Sequence, residues 1–196
     1  MVELLLVIAV WGIVHSITAS LAFKGFLRRT FGDGFMKLYR LFYNLFALVS
    51  FVPVPYLMFT LPDRNLYQIP LPWSLLMQAG QGISALLLFV TLLQTDVLAF
   101  VGLRQLFEEE RPAKLVTDGF YRFVRHPLYT FGLLILWLSP HVTMNAFIVY
   151  LALTVYILVG AMFEERKLLR EFGQEYAAYR SSTPMLIPGL KFGRNK

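Results

Sequence analysis

Five apolar runs, with charge gathered in the gaps between them, leave this chain few ways to fold in water. They cover residues 2–23, about 38–61, 73 to about 100, 127–139 and 144–163. A helix needs about 20 apolar residues to cross roughly 30 Å of hydrocarbon. The fourth run falls short of that, so it either starts below the membrane surface or is completed by the turn "SPHVTMN". Composition agrees: 57% of the 196 residues are hydrophobic and 15% are charged, against about 25% charged in soluble domains. The chain therefore reads as all-α, a polytopic membrane helical bundle of about five transmembrane helices. It ends in a helical hairpin and a cytoplasmic amphipathic tail, with residues 1–196 forming one domain. Glu3 and the lack of a basic segment ahead of the first run make that run a retained helix.

Basic residues set the expected orientation. Lys24, Arg28, Arg29, Lys37 and Arg40 follow the first run; Arg104, Arg111, Lys114, Arg122 and Arg125 precede the fourth; the rest of the 18 crowd the tail, except Arg64. By the positive-inside rule the N-terminus lies outside and the C-terminus in the cytoplasm. Since the net charge of +6 sits between apolar runs, it points to membrane lipids and not to nucleic acid. With no cysteine, disulfides, thiolate metal sites and a cysteine nucleophile are excluded. His15, His126 and His141 show no ligand spacing, so no metal is expected.

Chemistry concentrates in two polar stretches. In "VRHPLYTFG", residues 124–132, Pro127 suits the first helical turn and His126 the cap. Unpaired N–H groups and the positive dipole end, beside Arg125 and His126, suit a carboxylate. Tyr129, three residues on, shares the face of His126. The same spacing also suits an arginine that reaches to lipid phosphates and a histidine that only caps. In "MFEERKLLREFGQEYAAYR", residues 162–180, Glu164 and Glu165 leave the fifth run. The short outer turn makes the fourth and fifth helices antiparallel neighbours, so these acids meet Arg125 and His126. One carboxylate pairs with the arginine while the other faces a cation. Such a site suits a zwitterion attached to a positive centre, and S-adenosylmethionine is one.

The pairing of "LVTDGFYRFVRHPLY" with "EERKLLREFGQEYAAYR" resembles the isoprenylcysteine carboxyl methyltransferase superfamily of integral-membrane methyltransferases, over residues 115–188. "HSITASLAFK", "YRLFYNLFALV", "YILVGAMFEERKL" and "PMLIPG" are similar to the branch containing methanethiol S-methyltransferases and NnrU-like membrane proteins. The resemblance implies that S-adenosylmethionine is held at the inner ends of the last two helices. Leu115, Val116, Gly119, Tyr121, Arg125, His126, Pro127, Tyr129, Glu164 and Glu165 would line it.

The methyl acceptor is expected to be a small thiol or lipophilic substrate entering from the bilayer. His15 lies within the first run, where it is either a proton acceptor or a partner in a helix-to-helix hydrogen bond. Arg40, Tyr43 and Asn44 of the second run join His15 as the substrate-binding set. Arg125, Glu165, His15 and Arg40 are the candidate catalytic residues. Asp96 is expected to bond between helices within the third run. Two other readings remain at this point: an NADPH-dependent membrane reductase of the sterol or steroid type, which can share an arginine-histidine-proline helix start, and a non-enzymatic NnrU-like membrane protein.

Overall fold

The computed structural model describes residues 2–104 and 114–190; Arg111, Lys191, Arg194 and Lys196 of the basic pattern lie outside them. The chain is an integral membrane protein built from helices. Seven are described: α1 (Val2–Ala19), α2 (Leu21–Phe51), α3 (Pro53–Thr60), α4 (Trp73–Gln94), α5 (Val97–Val101), α6 (Pro127–Trp137) and α7 (Met144–Ser182). Two short strands, β1 (Asn65–Gln68) and β2 (His141–Thr143), pair in a two-stranded sheet that the sequence did not signal. Among the described residues four helical stretches are long and apolar enough to cross a membrane, α2 and α3 counting as one. The fourth apolar run supplies only the 11 residues of α6, roughly 16 Å of helix.

The expected boundaries shift where the backbone breaks. Ser20 leaves helical geometry (φ −67, ψ 148) and its side chain accepts from Phe23 N, so α1 stops at Ala19 and a new helix starts inside the expected first span. Gly32, at φ 75, breaks that helix again. Between the two breaks, residues 21–31 expose Leu21, Phe26 and Phe31 beside Arg28 and Arg29, the composition of a segment lying in the interface. The expected loop is therefore helical. At "VPVP", Val52 stays helical (φ −50, ψ −38) and donates to Val49 O, while Pro53 and Pro55, which lack an N–H, interrupt the ladder, so Pro53 takes the first turn of α3. The third span stops at Gln94, because Asp96 caps α5 by accepting from Ala99 N at 2.9 Å and pairs with Arg104 at 2.9 Å. Asp96 thus stands beyond the span, with no bond between spans among these contacts.

Two compact units divide the chain, and α7 begins in the first and continues in the second. The first holds residues 2–65, 96–104 and 143–152. Within it α1 and α2 run antiparallel: Trp11 donates to Ala47 O at 3.3 Å, His15 meets Tyr43, and Tyr39 donates to Thr18 O at 2.5 Å. Gly102, at φ 98, lets the end of α5 press on the Arg40–Leu41 backbone, where an added Cβ would come within 2.6 Å of Leu41 N.

The start of α7 is capped from a distance. Asp63 Oδ1 accepts from Asn145 N at 3.0 Å and Arg64 N at 2.8 Å, and Met144 N donates to Arg64 O at 2.9 Å. A carboxylate here satisfies exposed donors and the positive helix end. Partial burial pushes the Asp63 carboxyl up. Hydrogen bonds from the Thr143 hydroxyl and from the N–H groups of Asn145, Arg64 and Met144 outweigh that and hold it below the usual range. A lowered carboxyl contributes stability above its ordinary pKa, about 4, and loses it as pH falls through the lowered value. Thermal unfolding in detergent at pH 7 and pH 3 is therefore expected to show a smaller acid-induced loss for Asp63→Asn than for the natural chain.

The second unit holds residues 66–95, 114–142 and 153–190. Its α4 and α6 lie antiparallel and close: Gln81 donates to Ile135 O at 2.7 Å, and a Cβ at Gly80 would meet Leu138 Cδ1 at 3.0 Å. Small residues at the crossing let two apolar helices approach in lipid. Buried Ser84 and Thr91 return their hydroxyls to Gly80 O and Leu87 O of their own helix.

Candidate functional site

The approach to α6 is built by a tight turn and two distant braces. Asp118 precedes a single 3₁₀ turn, Gly119–Arg122. Gly119 takes φ +60, and its Cα faces the Gln94 amide so closely that an added Cβ would stand 2.6 Å from Gln94 Cδ. Gln94 Oε1 accepts from Phe120 N at 3.3 Å, and Tyr179 donates to Tyr121 O at 2.6 Å. His126 then caps α6 (φ −126, ψ 64) and Pro127 fills its first turn, as the sequence predicts.

The Gly119 contact yields a testable coupling. Gly119→Ala is expected to cost about 1–2 kcal/mol for the left-handed conformation and, by displacing Gln94, about 1 kcal/mol more for the lost bond. In a Gln94→Ala background the second part has already gone. Chemical unfolding of both single variants and the double variant should therefore show that Gly119→Ala costs less when Gln94 is absent.

Beyond the cap, the two polar stretches meet. Arg125 Nε donates to Glu165 Oε1 at 2.7 Å and Nη2 pairs with the same oxygen. The Arg125 and Glu165 side chains are only 9% and 8% exposed, so this is a desolvated pair. Arg180 Nε approaches Glu165 Oε2 at 3.4 Å. Glu164, 45% exposed, accepts from Tyr129 OH at 2.9 Å and has His126 Nδ1 at 3.6 Å. The His126 and Tyr129 rings stack at 5.3 Å. One acid pairs with the arginine, and it is Glu165; Glu164 is the more exposed of the two.

The backbone just ahead of the helix is already committed: Arg125 N donates to Pro184 O at 2.9 Å and His126 N to Met185 O at 3.1 Å. Nor is the guanidinium a free clamp. Its Nη1 donates to Arg180 O at 3.1 Å and to Thr183 O, and Thr130 Oγ1 donates to Leu186 O at 2.7 Å. Residues 180–186 return over the start of α6 because Gly173, at φ 53, breaks α7. Their carbonyls take the Arg125 and His126 N–H groups and one guanidinium nitrogen.

Two buried polar atoms keep no hydrogen bond here: His126 Nε2 and Tyr176 OH. The former stands 3.5 Å from Glu165 Oε1, too far for good geometry. The Tyr121 hydroxyl is pushed up to about 12, first by burial and then by Glu164, so it stays a donor. Leu115 is half-buried and Val116 exposed in the irregular chain before the turn. Sequence reasoning missed Gln94, Tyr176 and the carbonyls of Arg180 and Thr183. The available signals were an amide in the last turn of an apolar helix and a Tyr176–Tyr179 spacing of three.

The other predicted residues belong to the first unit. His15 Nε2 lies 2.7 Å from Tyr43 OH, and the ring stacks on Trp11 at 4.9 Å, so the helix-to-helix bond exists. Asn44 Nδ2 donates to Val101 O at 2.9 Å, tying α2 to the end of α5. Arg40 is exposed and feels the Asp96 charge.

The family profile described as phospholipid methyltransferase matches residues 74–175, from α4 into α7. The chain is similar to methanethiol S-methyltransferase 1 of Bradyrhizobium diazoefficiens, 30% identical over 198 residues that cover 94% of this chain and 65% of that protein. It is also similar to the methanethiol S-methyltransferase of Crocosphaera subtropica, 42% identical over 92 residues, covering 44% of this chain and 36% of that one. A second Bradyrhizobium diazoefficiens protein, methanethiol S-methyltransferase 2, is 40% identical over 116 residues, 57% of this chain and 44% of the other. The chain thus spans between about a third and two thirds of the length of these curated relatives. No solved structure matches it significantly.

Proposed function

The chain belongs to the phospholipid methyltransferase family, and from that membership we propose an integral-membrane methyltransferase that uses S-adenosylmethionine and methylates a small thiol. The observation that carries the reading is the meeting of the α6 cap with Glu164 and Glu165, around two buried polar atoms that lack hydrogen bonds. The relatives' names supply the thiol, with methanethiol as the first acceptor to try.

The residues present fit the cofactor. His126 Nε2 and Tyr176 OH have bonding capacity to spare, and the half-exposed Glu164 offers negative charge toward a positive centre. Bound S-adenosylmethionine supplies an electrophilic methyl group on a sulfonium. Tyr129 orients the Glu164 carboxylate through its 2.9 Å bond, and Arg125 fixes Glu165 and the returning carbonyls so that the site keeps its shape. Leu115, Val116, Gly119, Tyr121 and Pro127 complete the proposed lining. The apolar helices exclude water, which strengthens each of these interactions.

We assign recognition of the methyl acceptor to His15, Arg40, Tyr43 and Asn44, with His15 as the proton acceptor for the thiol. His15→Gln is expected to raise KM for the thiol and leave the affinity for S-adenosylhomocysteine unchanged; an equal loss of both would contradict this division. The substrate arrives through the bilayer, and the N-terminus faces outward. Since the chain has no cysteine, impermeant maleimide on intact cells should label His141→Cys and spare Arg29→Cys.

The activity test is direct. Purified protein in detergent is titrated with S-adenosylhomocysteine and with NADPH, then given methyl-labelled S-adenosylmethionine and methanethiol. Binding of S-adenosylhomocysteine and label in dimethyl sulfide are expected. Binding of NADPH alone would instead favour a reductase.

A further inference from the structure

Tyr176 is the residue whose situation the proposed chemistry leaves unexplained. It stands three residues past the Gly173 break, is 1% exposed, and its O–H has no acceptor. An unsatisfied buried hydroxyl costs about 1–3 kcal/mol, and phenylalanine would fill the same space without that cost. Its neighbour Tyr179 behaves ordinarily, donating to Tyr121 O at 2.6 Å. The charged groups acting on the Tyr176 hydroxyl are Glu165 first, then Arg125, whose guanidinium faces the hydroxyl oxygen and leaves its O–H to donate, and Glu164, the same groups that form the candidate site.

The Arg125 guanidinium decides what such a donor is suited to hold. Next to a fixed cation, the acceptor that gains most from an added O–H is an anion. Arg125 itself is committed to Glu165 and to the carbonyls of Arg180 and Thr183, so the unspent donor beside it is the tyrosine. We propose that the Tyr176 hydroxyl donates to the amino-acid carboxylate of the methyl donor, as a binding residue supplied by the returning C-terminal segment. This rests on the S-adenosylmethionine reading above and adds to it the residue that recognises the amino-acid end.

Such a role separates stability from binding, which a structural role does not. In Tyr176→Phe the ligand-free protein should melt within about 2 °C of the natural chain or higher, since the O–H that is removed donates to no internal acceptor. Its Kd for S-adenosylhomocysteine, by calorimetry in detergent, should rise about tenfold or more, the weight of a hydrogen bond to a charged group. Binding of 5′-methylthioadenosine, which lacks the amino-acid end, should be unchanged. Tyr179→Phe is the comparison, expected to lower the melting temperature of the ligand-free protein.

An unchanged Kd for S-adenosylhomocysteine in Tyr176→Phe would overturn the proposal, as would an equal loss for 5′-methylthioadenosine. A clear drop in ligand-free stability would overturn it too, by revealing an internal partner. Failure of the natural chain to bind S-adenosylhomocysteine would remove the cofactor reading and this assignment with it.

Discussion

Glu165→Ala is expected to destabilise the folded protein by about 3–5 kcal/mol, the cost of leaving a buried charge without its partner. Arg125 is 9% exposed and takes two contacts from Glu165 Oε1, while Glu165 Oε2 also holds Arg180 at 3.4 Å. Removing the carboxylate strands one buried cation and releases a second. The loss belongs to the broken pair and not to the pair's net worth, because bringing two charges out of water offsets most of their attraction. Arg125→Met combined with Glu165→Leu should therefore recover much of the stability that either change alone removes, while binding of S-adenosylhomocysteine stays lost. Unfolding in mixed micelles measures the first, and calorimetry the second.

Arg125→Lys should be nearly as damaging, although it preserves the charge. An ammonium cannot present the flat fork of donors that reaches Glu165, Arg180 O and Thr183 O together. Losing two bonds from a charged donor, each about 1.5–3 kcal/mol, lowers the opening free energy of the returning segment by roughly 3 kcal/mol. Amide hydrogens across residues 174–190 should then exchange on the order of 100-fold faster than in the natural chain. Those of α4, which Arg125 does not touch in any of these bonds, should keep their protection. Uniform acceleration throughout the second unit would mean that Arg125 supports the whole unit and not the segment.

How much of this was legible beforehand depends on range. The cap at His126, the helix start at Pro127 and the pairing of Arg125 with a glutamate follow from local rules plus one short outer turn, which forces α6 and α7 to be neighbours. Which of Glu164 and Glu165 takes the arginine is settled only by the packing. What escaped depends on residues far apart in sequence. Carbonyls at Pro184 and Met185 have no side-chain signature, so nothing in "STPMLIP" announced that they would take the N–H groups of Arg125 and His126. Gln94 reads as the polar end of an apolar helix until Gly119 is seen against it. Asp96 sits in an apolar run by hydropathy, yet its short side chain favours capping over continuing the helix, and that local preference prevailed. Ser20 broke the first run in the same way. Hydropathy located the apolar segments well and their ends poorly, because the ends are decided by caps and glycines.

The central claim is that the α6 start and the Glu164–Glu165 end of α7 together hold the methyl donor. Photolabelling tests it with least intervening inference: irradiate the purified protein with methyl-labelled S-adenosylmethionine, with and without excess S-adenosylhomocysteine, and map the labelled peptides. Label falling within residues 115–130 and 162–186, and abolished by the competitor, is the expected result. Competitor-sensitive label confined to residues 2–60, or label that the competitor leaves untouched, would contradict it.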